Sequence, residues 1–178
     1  MRAKVDRQDV AAELLPGVSV ELLKELHLLT RDGDLNADSR RKLKQVKHFL
    51  GLLRPAIDDV LARHPAPVIV DCGAGKGYLG FLLHQTVIRP AGRGELWAVE
   101  SRAELTTASA ERAARLGCAG MQFVTGTIED ALAALPERIH LVTALHACDT
   151  ATDDALALAI RRGADHVAVV PCCQAEVA

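Results

Sequence analysis

One stretch constrains the fold more than any other: Val68-Ile69-Val70-Asp71-Cys72-Gly73-Ala74-Gly75-Lys76-Gly77-Tyr78-Leu79. Val68 to Val70 is a β-branched apolar run that suits a strand buried on both faces. Gly73, Gly75 and Gly77 then permit positive φ in a tight turn and let a ligand press against bare backbone. A helix follows from Tyr78. Strand, glycine turn and helix open a βαβ unit, and such a unit asks the rest of the chain to alternate strands with helices.

The remainder meets that demand. After a first strand at 68–71, further strands are expected at 96–100, 122–125, 139–146 and 166–171. Helices are expected between them at 78–85, 102–116, 128–135 and 152–162, with Gly117 and Gly163 closing the second and the last. The pattern predicts an α/β fold, a Rossmann-like doubly wound parallel sheet with right-handed crossovers. Ligands of such sheets lie beyond the carboxyl ends of the strands, at the switch point beside the first strand.

Upstream of Pro65-Ala66-Pro67 the pattern is helical, so 1–64 reads as an N-terminal helical extension and 65–178 as the sheet domain. A short helix over 20–29 ends at the turn-like Arg31-Asp32-Gly33-Asp34. A longer helix starts at Asp38 or Ser39, either of which can cap it. Leu43, Val46, Leu50, Leu53, Ile57 and Val60 make one apolar stripe along it, and Pro55 is expected to kink or split it. Its first turns carry Arg40, Arg41, Lys42, Lys44 and Lys47, charges that oppose the macrodipole. They form a solvated face or a surface for phosphates.

Composition narrows the choices. A chain of 178 residues buries one good-sized core, and with aromatics at 3% that core must be aliphatic. A net charge of −2 gives no global attraction to nucleic acid, so any such partner needs a local basic patch. No apolar run approaches the roughly 20 residues of a membrane span, and Met1 to Val10 lacks the apolar stretch of a secretory signal. A cytoplasmic protein is the expectation. Five cysteines, an odd number without C-x-x-C spacing, suggest reduced thiols and give a metal site only weak support, the one alternative being a metal held by His146, Cys148, Cys172 and Cys173 with Cys72 nearby.

The second strand ends in Glu100, beside the glycine turn, where a carboxylate can accept both ribose hydroxyls of an adenosyl group. A rival register exists. Gly75-x-Gly77-x-x-Gly80 also fits the dinucleotide fingerprint, with Glu100 at 20 residues beyond Gly80. That register carries the strand to Ala74, forces Gly73 into it, and sets Asp71 near a pyrophosphate that repels it. S-adenosylmethionine presents an ammonium and a sulfonium, which an acidic strand end welcomes, so chemistry favours the methyl donor. Its adenine is expected near Gly126-Thr127-Ile128-Glu129, with Thr127 the nearest candidate.

Asp71-x-Gly73-x-Gly75-x-Gly77 followed by Glu100 resembles the first two motifs of class I S-adenosylmethionine-dependent methyltransferases. Ala144-Leu145-His146-Ala147-Cys148-Asp149-Thr150-Ala151-Thr152-Asp153 and the later Pro171-Cys172-Cys173-Gln174 narrow the resemblance. They are similar to the group that holds the tRNA acceptor-stem 2′-O-methyltransferases and the glutathione S-transferase C-terminal-domain-containing proteins. His146, Cys148, Ala151, Thr152 and Asp153 match the fourth motif, while Leu145 stands for its lysine and Asp149 for its glycine. Cys172 and Cys173 match a Cys-Cys-His whose histidine is here Gln174. The resemblance covers about 40–174 and implies methyl transfer to RNA, with His146, Cys148, Asp153, Cys172 and Cys173 lining the acceptor pocket. It also implies a seven-stranded sheet, of which five strands are visible and the C-terminal part is missing, so the expectation is either a C-terminally incomplete domain or a cover, such as a second copy, over the fifth strand, Val167-Ala168-Val169-Val170.

Methyl transfer is an in-line displacement, and alignment alone can supply up to roughly 7–11 kcal/mol. An oxygen acceptor also needs a general base, worth about 10²–10⁴-fold, and His146 is the best-placed candidate. Asp153 either orients it or sits at a helix N-terminus. Two alternatives stand beside this reading: a non-catalytic donor-binding module acting as an RNA or protein platform, and an NAD-dependent oxidoreductase.

Overall fold

The computed structural model describes residues 16–33, 35, 37–145 and 150–170, the side chain of Asp38 excepted. The chain divides into two compact units, Met1–Arg54 and Pro55–Ala178. In the first, helix α1 (Val20–Glu25) is capped by the Ser19 hydroxyl, which accepts the Leu22 N–H at 3.2 Å. It stops short of residue 29 because the chain turns at His27, at φ 53°, and the Leu28 and Leu29 N–H groups both return to the Leu23 carbonyl.

Helix α2 (Ala37–Arg63) carries the chain from the first unit into the second, passing through Pro55. Of the kink or split expected at Pro55, the split does not occur, since the helix is continuous through it. Proline removes one backbone donor, and the buried Ile57 and Val60 beyond it hold the helical path. The helix also begins before Asp38 and Ser39, so neither is its N-cap. Leu43, Leu53, Ile57 and Val60 of the expected stripe are buried, and Val46 and Leu50 are half-buried.

The second unit is built on β1 (Val68–Cys72), β2 (Glu95–Glu100), β3 (Met121–Thr125), β4 (Leu141–Leu145) and β5 (His166–Val170). All neighbours are parallel, in the order β3-β2-β1-β4-β5. The connecting helices are α3 (Tyr78–Leu83), which runs through a π turn (His84–Ile88) into α4 (Arg89–Ala91), then α5 (Ala103–Arg115), α6 (Ile128–Ala131) and α7 (Thr150–Arg161). Each expected strand and helix is present, with ends shifted by a few residues.

Strand alternation sends Val70, Cys72, Val99, Val142 and Ala144 to one face, where they join Ile128, Ala131, Ala155 and Leu158 of α6 and α7 in an aliphatic core. Ile69, Asp71, Leu141 and Thr143 share the other face, since Asp71 and Thr143 are paired in register. Fully burying one such aliphatic side chain contributes roughly 1.5–3 kcal/mol. Phe81 is completely buried, yet Val, Leu, Ile and Ala make up most of the core.

At the amino ends of the strands, charge fastens the last turn of α2 to the sheet. Asp165 takes Arg63 at 2.9 Å, Arg138 at 3.0 Å and His64 Nε2 at 2.8 Å, and Asp59 lies 2.8 Å from His166 Nε2. Burial alone would raise the Asp165 carboxyl, but His64, Arg63 and Arg138 together hold it below the usual range. His140 stacks on His64, with ring centroids 3.9 Å apart, and its Nδ1 accepts the Val68 N–H at 2.9 Å. Sequence periodicity carries no sign of this cluster.

Candidate active site

β1 stops at Cys72, and Gly73 leaves the strand at φ 63°. The register is therefore Asp71-x-Gly73-x-Gly75-x-Gly77, and the shifted dinucleotide register is not the one the chain adopts. Gly77 has φ 77°, and a Cβ there would lie 2.9 Å from Phe81 Cε2. Glycine at this position follows from both conformation and space. Gly75, at φ 58°, faces open ground: the nearest atoms to a Cβ there are the Gly73 carbonyl at 3.9 Å and Arg102 Nη2 at 4.0 Å.

Glu100 ends β2 beside this turn, as expected. Its Oε2 accepts the Gly75 N–H at 2.7 Å, and its Oε1 accepts the Arg102 N–H at 3.0 Å and Arg102 Nε at 2.8 Å. Burial pushes its carboxyl up, but these hydrogen bonds and the Arg102 charge outweigh burial and hold it below the ordinary range. The result is an oriented, ionised acceptor directly against the glycine backbone.

Asp71 has a different environment. It is 2% exposed, beneath the turn. The Thr143 hydroxyl donates to its Oδ1 at 2.9 Å, and the Gly80 N–H near the start of α3 donates to the same carboxylate. Gly77, the N-cap of α3, has no side chain to cap with, so Asp71 supplies the capping anion from the strand below. Burial pushes its carboxyl up to about 7 against these two hydrogen bonds.

Thr127 is the N-cap of α6, and its hydroxyl is engaged in a capping box with Asp130. Asp153 is exposed in the first turn of α7, where a carboxylate favours the helix dipole. His146, Cys148, Cys172 and Cys173 lie outside the described residues. Among the described residues no group of three His, Cys, Asp or Glu is placed to hold a metal ion, and no helix is long and apolar enough to cross a membrane. Sequence reasoning missed Thr143, whose only signal is its strand register opposite Asp71. It also passed over the guanidinium of Arg102, two residues beyond Glu100.

A parallel sheet in this strand order, with a glycine turn after its central strand and an ionised acid ending the neighbouring one, defines a Rossmann-like nucleoside-binding domain. The family model described as "Methyltransferase domain" matches residues 41–178, and the chain belongs to this family. It is an S-adenosylmethionine-dependent methyltransferase domain, and S-adenosylmethionine is the cofactor. The residues present fit that group, since a carboxylate held ionised against glycine backbone suits a cationic adenosyl ligand.

Similar folds occur in solved structures. An rRNA methylase from Streptococcus thermophilus aligns at 16% identity over 62% of this chain and 62% of that one, with a TM-score of 0.49. A Streptococcus mutans protein assigned as a methyltransferase, crystallised with SAH, aligns at 12% identity over 62% of this chain and 65% of that one, with a TM-score of 0.47. Precorrin-6y C5,15-methyltransferase from Geobacter metallireducens aligns at 15% identity over 62% and 55%, with a TM-score of 0.48. The chain thus spans less than two thirds of the length of these structures. No curated protein matches it.

Proposed function

We propose that this domain transfers the methyl group of S-adenosylmethionine to an RNA acceptor. The observation that carries the donor half is the Glu100 carboxylate, ionised and bonded to the Gly75 N–H. When bound, the cofactor supplies an electrophilic methyl on a sulfonium. Glu100 accepts the ribose hydroxyls, Gly73, Gly75 and Gly77 admit the nucleoside to the backbone, and Asp71 supports the turn from below. Thr127 borders the adenine through the α6 N-terminus. On the acceptor side His146 takes the proton from the attacking group, with Cys148, Asp153, Cys172 and Cys173 shaping the pocket.

What supports RNA is the resemblance of the His146 and Cys172 segments to the tRNA acceptor-stem enzymes, together with the face of α2. There Arg40, Arg41, Lys44 and Lys47 are exposed and Lys42 is half-buried. A second reading, a donor-binding module without transfer, draws on Leu145, which stands where those enzymes carry lysine. One experiment separates them: tritiated methyl incorporation from the donor into fractionated cellular RNA and protein. Label in RNA supports the proposal, label in protein moves the acceptor, and donor binding without any label favours the module.

Among the described residues β5 is an outermost strand of the sheet, which supports pairing with a strand of a second copy, and its Val167 is 44% exposed. Concentration-dependent sedimentation that Val167→Lys abolishes is the expected result, and a monomer at every concentration refutes it.

A further inference from the structure

Asp71 and Thr143 meet beneath the glycine turn, where Asp71 caps the start of α3 and Thr143 holds Asp71. Both are essentially inaccessible, at 2% and 0% exposure. They sit directly opposite one another on the central strands β1 and β4, and the Thr143 hydroxyl lies 2.9 Å from Asp71 Oδ1 and 3.4 Å from the Val70 carbonyl. The only other donor to this carboxylate among the described residues is the Gly80 N–H. An aliphatic pair would fill the same space without the cost of burying a charge. Such a pair could not cap α3, so the carboxylate serves the helix start, and through it the turn that precedes that helix.

Gly80 lies in the first turn of α3, immediately after the glycine turn, and α3 packs tightly there: a Cβ on Gly80 would be 3.2 Å from Leu96 Cδ2 and 3.5 Å from Asp71 Oδ2. The carboxylate is the anion on which this end of α3 rests. Thr143 fixes the carboxylate in turn, and it stands two residues before the end of β4. The hydroxyl thus links the strand leading to the acceptor side with the turn that receives the donor.

We propose that Thr143 is a positioning residue for the donor: through Asp71 it holds the glycine turn in its binding conformation, although it touches no part of the ligand. This rests on the methyl-donor reading above. No charged side chain of α3, β2 or β4 among the described residues contributes to the Asp71 environment. The ionisable neighbour is the Cys72 thiol, which burial keeps neutral on the opposite face, with Asp154 of α7 acting on Cys72 from there. The anionic form of Asp71 accepts both donors and favours a cationic ligand above it, so donor affinity falls as pH drops below about 7.

The test uses Thr143→Val, which keeps the shape and removes the hydroxyl, and Thr143→Ser, which restores it. Titration of the Asp71 side-chain carbon by NMR in the free protein is expected to move upward in the Val variant and return in the Ser variant. Calorimetry with S-adenosylhomocysteine from pH 5.5 to 8.5 is expected to show a dissociation constant raised roughly 3–10-fold at pH 7.5 in the Val variant. Its pH midpoint moves up with the NMR value, and Ser is close to wild type. A Val variant that melts earlier but keeps the wild-type Asp71 titration and binding profile overturns the proposal, leaving Thr143 a packing residue. Wild type that binds no S-adenosylhomocysteine at all overturns the donor reading itself and this inference with it.

Discussion

Arg102 Nε donates to Glu100 Oε1 at 2.8 Å, so the guanidinium shares the carboxylate that a ribose would claim. The side chain of Arg102 is 60% exposed while that of Glu100 is 7% exposed, so the pair is easily parted on the solvent side. The Gly75 and Arg102 backbone N–H groups orient Glu100 without it. Glu100→Ala is expected to weaken S-adenosylhomocysteine binding at least about 10²-fold, the loss of two hydrogen bonds to a charged acceptor. Arg102→Ala is expected to change it less than about 5-fold. Calorimetry decides, and equal effects of the two variants would mean that Glu100 is merely the partner of Arg102.

Gly77→Ala tests the turn. The new Cβ meets the buried Phe81 ring, which has no room to retreat, and alanine at φ 77° is strained besides. Strain and overpacking together are expected to cost about 2–4 kcal/mol. Thermal melting should fall by roughly 4–16 °C. A melt within a degree of wild type would contradict the turn geometry.

Asp71 makes stability depend on pH with a definite sign. Its carboxyl titrates at about 7 in the folded chain and at 3.8 when unfolded, so folding takes up a proton between those values. Its contribution to stability is therefore lost as pH rises from about 4 to about 7, and is flat above. Asp71→Asn is expected to melt higher than wild type at pH 8, with the difference shrinking toward pH 5, while donor binding weakens. A difference in melting temperature that is the same at every pH would rule out a buried titrating carboxyl.

His140 acts in the opposite sense. Burial, with the nearby His64 and Arg138, holds its imidazole below the ordinary value, and its Nδ1 must be unprotonated to accept the Val68 N–H. The unfolded chain gains this proton near pH 6.5 and the folded chain resists it, so stability falls as pH drops below about 6.5. His140→Gln, which can accept the same N–H without titrating, is expected to flatten the acid limb of the melting profile. An unchanged slope between pH 6.5 and 5 would remove His140 from the acid response.

Much of this was legible before folding. The strand, glycine turn and helix around Asp71, and the acid at Glu100, are consecutive residues whose meaning comes from local conformation: β-branching, positive φ, a helix start. Local signals survive in a linear sequence, so the parallel sheet and the register of the turn followed from them. Other features depend on what lies across the sheet. Asp71 is expected by its position to face a cationic ligand, yet Thr143, 72 residues away in sequence, sits opposite it only because β1 and β4 align in that register. The same holds for the Asp165 cluster and for the passage of α2 through Pro55, where burial outweighs a local helix-breaking preference. Sequence determined which residues turn the chain and carry charge. Tertiary structure alone decided which of them are removed from water and what they meet there, because desolvation and strand register are properties of distant contacts.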